Sequence, residues 1–128
     1  MLDRLGVKAD VYPDNRIPQS PIRAGIVNLD HSWQPGTHWQ AFKWTNNEFI
    51  TFDSLGKPAD DHIRLHGDTY AEGVPYREIR LKLQPMNSVL CGYWCLWFLK
   101  DHKELLKAVK GKTEEECEAI MLNRIGSV

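Results

Sequence analysis

Four side chains in this sequence could together break an amide bond: Cys91, His38, Asp53 and Gln84. A thiolate can attack a carbonyl carbon, but a partner must take its proton and later deliver one to the leaving amine. Histidine suits that task because its imidazole titrates near neutrality. A carboxylate must then fix the imidazole's tautomer. Gln84 shortly precedes Cys91 and is followed by Pro85-Met86-Asn87-Ser88. Its neutral amide can donate to a developing oxyanion together with the backbone N–H of Cys91, whereas an ionised glutamate there could not.

The local pattern predicts how such groups are held. Residues 91–109 read as a helix, apolar nearly all round in its first half and amphipathic in its second, with Leu105, Leu106 and Val109 as its apolar stripe. Cys91 opens that helix, where the positive end of the dipole favours a thiolate. Gly92 follows it and is expected to admit a substrate backbone. Residues 38–44 and 48–53 alternate as two strands joined across Thr45-Asn46-Asn47, a hairpin in which asparagine would tolerate positive φ. Phe49, Thr51 and Asp53 share one face of the second strand; Ile50 and Phe52 share the other. His38 begins the hairpin and Asp53 ends it, so antiparallel pairing brings them to one edge.

The remaining elements are read more simply. Residues 1–23, with Pro13, Pro18 and Pro21, predict an extended arm with turns. Residues 24–29 predict a buried strand, and 31–37 a loop. Residues 57–73 leave room for a short helix. Residues 76–83 alternate as a half-buried strand with Ile79, Leu81 and Leu83 inward. Gly111 is a natural helix stop. Thr113 and Glu116 have capping-box spacing and open a last helix with Cys117, Ile120 and Met121 as its apolar face. The expected fold is α+β, a central mixed β-sheet flanked by helices, in one domain over residues 1–128.

These residues carry a family resemblance. The run His38-Trp39-x-Ala41-Phe42-x-Trp44, then Phe52-Asp53-x-x-Gly56, then Gln84-Pro85-x-Asn87-Ser88-x-x-Cys91-Gly92 resembles the adenovirus endopeptidase (adenain), a cysteine protease in the clan of the ubiquitin-like-protein proteases. Leu5-Gly6, Asp14-x-Arg16-x-Pro18 and Ile26-Val27-Asn28 look like that family's N-terminal segment. The resemblance implies the adenain-like fold, with the nucleophile at the start of a central helix. It implies a triad of Cys91, His38 and Asp53, an oxyanion glutamine at Gln84, and Trp39 as the indole that shields the imidazole. Gly36, Asn87, Ser88 and Gly92 are the substrate-binding candidates. The activity implied is cleavage of viral precursor polypeptides during particle maturation, near small residues such as glycine, inside the host nucleus or cytoplasm and in the virion.

The sequence also departs from the family. It is shorter, and much of the adenovirus enzymes' C-terminal part is missing from the match. Those enzymes are activated by a peptide disulfide-linked to a cysteine upstream of the nucleophile, but the first cysteine here is Cys91 itself. An activating peptide would have to be held without that bond. Their DNA cofactor is not expected either, since 16 basic residues against 17 acidic ones leave a net charge of −1 with no basic track. No cofactor is required by the sequence, and a monomer is expected.

Other readings are weighed on the same residues. Cys95 and Cys117 lie on apolar helical faces and read as small buried hydrophobes. Three cysteines without a framework spacing fit a reducing compartment. His62 and His66 have metal-ligand spacing, but no HExxH accompanies them, and no metal is expected. His31 and His102 read as structural or solvated. No apolar run is long enough to span a bilayer, and no signal-peptide core opens the sequence, so neither a membrane nor secretion is expected. A protease for ubiquitin-like modifiers keeps the chemistry and changes the substrate. A binding module that retains the fold without catalysis, and a small metal site of Cys91, Cys95 and His102, remain open alternatives.

Overall fold

The computed structural model describes residues 10–13, 17–29, 38–71, 73–84 and 90–126. Five strands lie in sequence order across one sheet: β1 (Val11–Pro13), β2 (Ala24–Asn28), β3 (Trp39–Trp44), β4 (Phe49–Asp53) and β5 (Tyr76–Arg80). β2–β3 and β3–β4 pair antiparallel, while β1–β2 and β4–β5 pair parallel, so the sheet is mixed. A parallel pair needs a crossover, and α1 (Asp61–Tyr70) supplies it between β4 and β5. α2 (Cys91–Val109) and α3 (Glu114–Gly126) follow. The class is α+β, as the alternation of the sequence predicts.

Both sheet faces carry a core, because β2, β3 and β4 direct apolar residues to both sides. Ile26, Ala41, Ile50, Phe52 and Ile79 join Trp94, Cys95, Phe98, Leu105, Cys117 and Met121 in the larger core beneath α2 and α3. Val27, Phe42 and Phe49 join Ile63 and Ala71 in a smaller core beneath α1. The face assignment within β4 therefore holds: Ile50 and Phe52 go one way and Phe49 the other. The last helix begins as its spacing predicts, with Thr113 N donating to Glu116 Oε1 (3.1 Å) and Glu116 N to Thr113 Oγ1 (3.2 Å).

Three expectations change. The segment expected as an arm contributes a strand, β1, which pairs Val11 with Ile26 on the edge of β2; residues 1–9 and 14–16 lie outside the described ones. The β3–β4 turn forms without asparagine in positive φ, since no described non-glycine residue adopts it. Instead Thr45 Oγ1 accepts from Asn47 N (3.2 Å) and Glu48 N (3.0 Å), closing the turn through a side chain. Finally, α2 is kinked at Asp101, whose backbone is extended (φ −163°, ψ 90°). Asp101 Oδ1 accepts from Glu104 N (3.0 Å), as the cap of a helix that restarts there. Lys43 Nζ donates to Phe98 O (3.0 Å), which satisfies one carbonyl in the turn before the break.

α1 sits close to the sheet because Gly67 faces a ring: a Cβ there would lie 2.6 Å from Phe49 Cε1. Phe49 is 1% exposed and cannot yield easily. Gly67→Ala is therefore expected to be destabilising, since overpacking costs about 1–3 kcal/mol against about 1 kcal/mol gained in helix propensity. The check is the urea midpoint, which should fall; a midpoint that rises would contradict this packing.

Candidate active site

The site begins where the hairpin ends. Ala41 pairs with Phe52 in the β3–β4 ladder, so the next residues outward, Gln40 and Asp53, oppose each other, and His38 follows on the side of Gln40. His38 Nε2 lies 2.7 Å from Asp53 Oδ2. The contact is well shielded, with the two side chains 20% and 2% exposed. The juxtaposition expected from the hairpin is thus present.

A buried carboxylate must have every lone pair satisfied or it will take up a proton. Asp53 achieves this from three directions. Its Oδ1 accepts from Leu55 N (2.7 Å) and Lys57 N (3.1 Å), because the chain turns back around it after β4 through Gly56 at φ +77°. Its Oδ2 accepts from His38 and from Gln40 Nε2 (2.6 Å). Burial pushes the Asp53 carboxyl up, but His38, Gln40 and the Lys57 N–H outweigh it and hold it below its ordinary value.

His38 responds in kind. Burial pushes its imidazole down, but Asp53 and then Cys91 overcome this, and its pKa is pushed up to about 9. With Nε2 given to Asp53, the remaining nitrogen is Nδ1, which is buried and has no hydrogen-bond partner among the described residues. Cys91 nonetheless acts on the ring.

Cys91 is the first residue of α2 and is 4% exposed. Leu90, the residue before it, supplies no capping side chain, so the N–H groups at the helix head are not claimed by their own cap. Two contacts dock this head onto β3. The Trp39 indole lies over Gly92, where a Cβ would meet Trp39 Cε3 at 2.8 Å. The Cys95 thiol, one turn on, donates to Trp39 O (3.6 Å). Gly92, expected to admit a substrate backbone, gives the space of its missing Cβ to this indole. Trp39, expected to shield His38, makes its described contact in the turn that carries Cys91.

Gln84 is delivered by a second local pairing. Beyond β4 and β5 the two chains stay together, with Leu81 N donating to Asp53 O (3.1 Å) and Leu83 N to Ser54 O (2.8 Å). This places buried Gln84 beside buried Ser54, whose hydroxyl donates to Gln84 Oε1 (3.2 Å). With its oxygen held by Ser54, the amide's NH₂ is the end that points away. Gln40 and Ser54 are additions that the sequence did not single out. The signal for Gln40 was its position two residues after His38, on the same strand face; for Ser54 it was only adjacency to Asp53.

The other candidates resolve as follows. Gly36, Asn87 and Ser88 lie outside the described residues, as does His31. Cys95 and Cys117 are buried free thiols in the larger core, and burial pushes both up, Cys95 well above the ordinary range. His66 is buried against Phe42, Phe49 and Tyr70, with Nε2 3.2 Å from Ile22 O; His62 sits by Asp60 (3.3 Å). Among the described residues no group of three or more side chains of metal-ligand type gathers, and no helix is long and apolar enough to cross a membrane. Compared with known proteins, the chain matches no family model and no curated protein.

The electrostatics set a pH dependence. His38 is raised above its ordinary 6.5, so the stability it contributes is complete below about pH 6.5 and is lost as pH climbs through about 9. Asp53 is held below its ordinary 3.8, so its contribution is present above that value and lost as pH falls through the depressed one. An NMR titration should find the His38 midpoint near 9 in the native protein. In Asp53→Asn the midpoint should drop sharply, because burial is then opposed by Cys91 alone. An unchanged midpoint would show that Asp53 does not govern the imidazole.

Proposed function

We propose that this chain is a cysteine peptidase of the adenovirus-endopeptidase type, cleaving viral precursor polypeptides during particle maturation. The observation that carries the reading is the His38 imidazole, bonded to buried Asp53 through Nε2 at 2.7 Å; its proton affinity is raised by Asp53 and then by Cys91. The placement of Cys91 at the head of α2, and of Gln84 beside Ser54, supports the same reading. So do the mixed sheet and the helix order, which fit the adenain-like fold that the motifs imply.

The mechanism follows from the residues. The Cys91 thiolate, paired with protonated His38, attacks the scissile carbonyl carbon. The oxyanion that forms accepts from the Cys91 N–H and from the Gln84 amide. His38 then gives its proton to the leaving nitrogen, the C–N bond breaks and a thioester remains on Cys91. His38, now neutral, takes a proton from water, whose oxygen attacks the thioester. Collapse of that second intermediate returns the thiolate and releases the carboxylate product. Asp53 stays ionised throughout and holds the ring. The substrate is a polypeptide with small residues at the scissile bond, and an activating peptide, where one acts, binds without a disulfide.

Iodoacetamide at neutral pH, followed by peptide mapping, tests the nucleophile directly. Cys91 should be labelled selectively, and His38→Ala should slow it strongly. Slow and equal labelling of Cys91, Cys95 and Cys117, unaffected by His38→Ala, would sink the reading. On glycine-containing peptide substrates, Cys91→Ala should abolish turnover with folding preserved. Gln84→Ala should lower kcat by roughly 10²–10³-fold, the usual effect of losing one oxyanion donor.

A further inference from the structure

Gln40 is 2% exposed, and both ends of its amide are engaged. Its Nε2 donates to Asp53 Oδ2 (2.6 Å) and to Pro58 O (2.9 Å), while its Oε1 accepts from Asp60 N (2.9 Å). Three contacts of this kind leave the amide one orientation. Two of them are to the backbone that leads into α1, so the amide is held by a segment that takes no part in the hairpin. Asp53 Oδ1 is likewise committed, to Leu55 N and Lys57 N. Those two bonds resist rotation of the carboxylate from the Oδ1 end, and Gln40 resists it from the other end by occupying one side of Oδ2. His38 receives the other side.

We propose that Gln40 is a positioning residue: it locks the Asp53 carboxylate so that a single Oδ2 lone pair is presented to His38, which aims the other ring nitrogen at Cys91. A neutral donor suits this place. A lysine would compete with His38 for the negative charge, and a carboxylate would repel Asp53. An apolar side chain would leave Oδ2, Pro58 O and Asp60 N each short of a partner. The proposal rests on the peptidase reading for its catalytic meaning, but its geometric content concerns His38 and Asp53 alone.

Two measurements test it without depending on cleavage. In the native protein, the Gln40 side-chain amide protons should shift as His38 titrates, with the same midpoint near 9, because both donate to one oxygen. Amide signals that ignore the titration would overturn the proposal. In Gln40→Met, which keeps the length and removes the amide, the His38 midpoint should fall, and alkylation of Cys91 should slow roughly 10-fold or more, since small displacements of a reacting pair are costly. A midpoint that rises would mean that Gln40 merely competes for the carboxylate's charge. An unchanged midpoint, with lowered stability, would reduce Gln40 to a structural bond. If Gln40→Met does not fold, the native titration still decides. Should the midpoint fall as expected while no peptide is ever cleaved, the positioning would stand and the peptidase reading would fail.

Discussion

A carboxylate 2% exposed to solvent has to be paid for in hydrogen bonds, and Asp53 organises its surroundings accordingly. Four donors converge on its two oxygens, from β3, from the residue before β3 and from the loop that follows β4. The hairpin register, the turn at Gly56 and the path of the chain into α1 are all consistent with this one group being ionised. The raised proton affinity of His38 is the same fact seen from the other partner.

The head of α2 is fixed by a different kind of force. There the Trp39 ring fills the volume that Gly92 leaves, and the Cys95 thiol reaches the Trp39 carbonyl. His38 and Trp39 are neighbours in sequence, so one short stretch of chain bonds the carboxylate through its first residue and seats the helix through its second. Packing thereby sets how far Cys91 stands from the imidazole. The division is economical: electrostatics orients the ring, and close contact positions the sulfur.

Much of this was legible in the sequence because it is local. Alternation in residues 48–53 gives the faces of β4, and a hairpin must bring its two ends together, so the meeting of His38 and Asp53 needs no knowledge of the rest. The Thr113–Glu116 box is readable for the same reason. What escaped is what depends on approach between distant segments. Gln40 looks like any polar strand residue until Pro58 and Asp60 arrive beside it. The seating of the Trp39 ring against Gly92 is likewise invisible until β3 and α2 meet. β1 is too short to show a pattern and exists through pairing with β2. The break in α2 was hidden because Asp101 continues a helical polarity pattern while its side chain does the work of a cap.

That break separates two kinds of constraint on sequence change. Up to Lys100 the helix carries Cys91, Trp94, Cys95 and Phe98, whose angular positions are tied to β3 and the sheet core. At Asp101 the backbone is extended, so the turn-by-turn phase of the helix is reset there. A substitution that rotates or tilts the segment after Asp101 can be absorbed at that one residue and need not turn the sulfur at the far end. Beyond the kink the buried Leu105 and Val109 still tie the chain to the larger core, but its exposed positions can change without turning the head of α2.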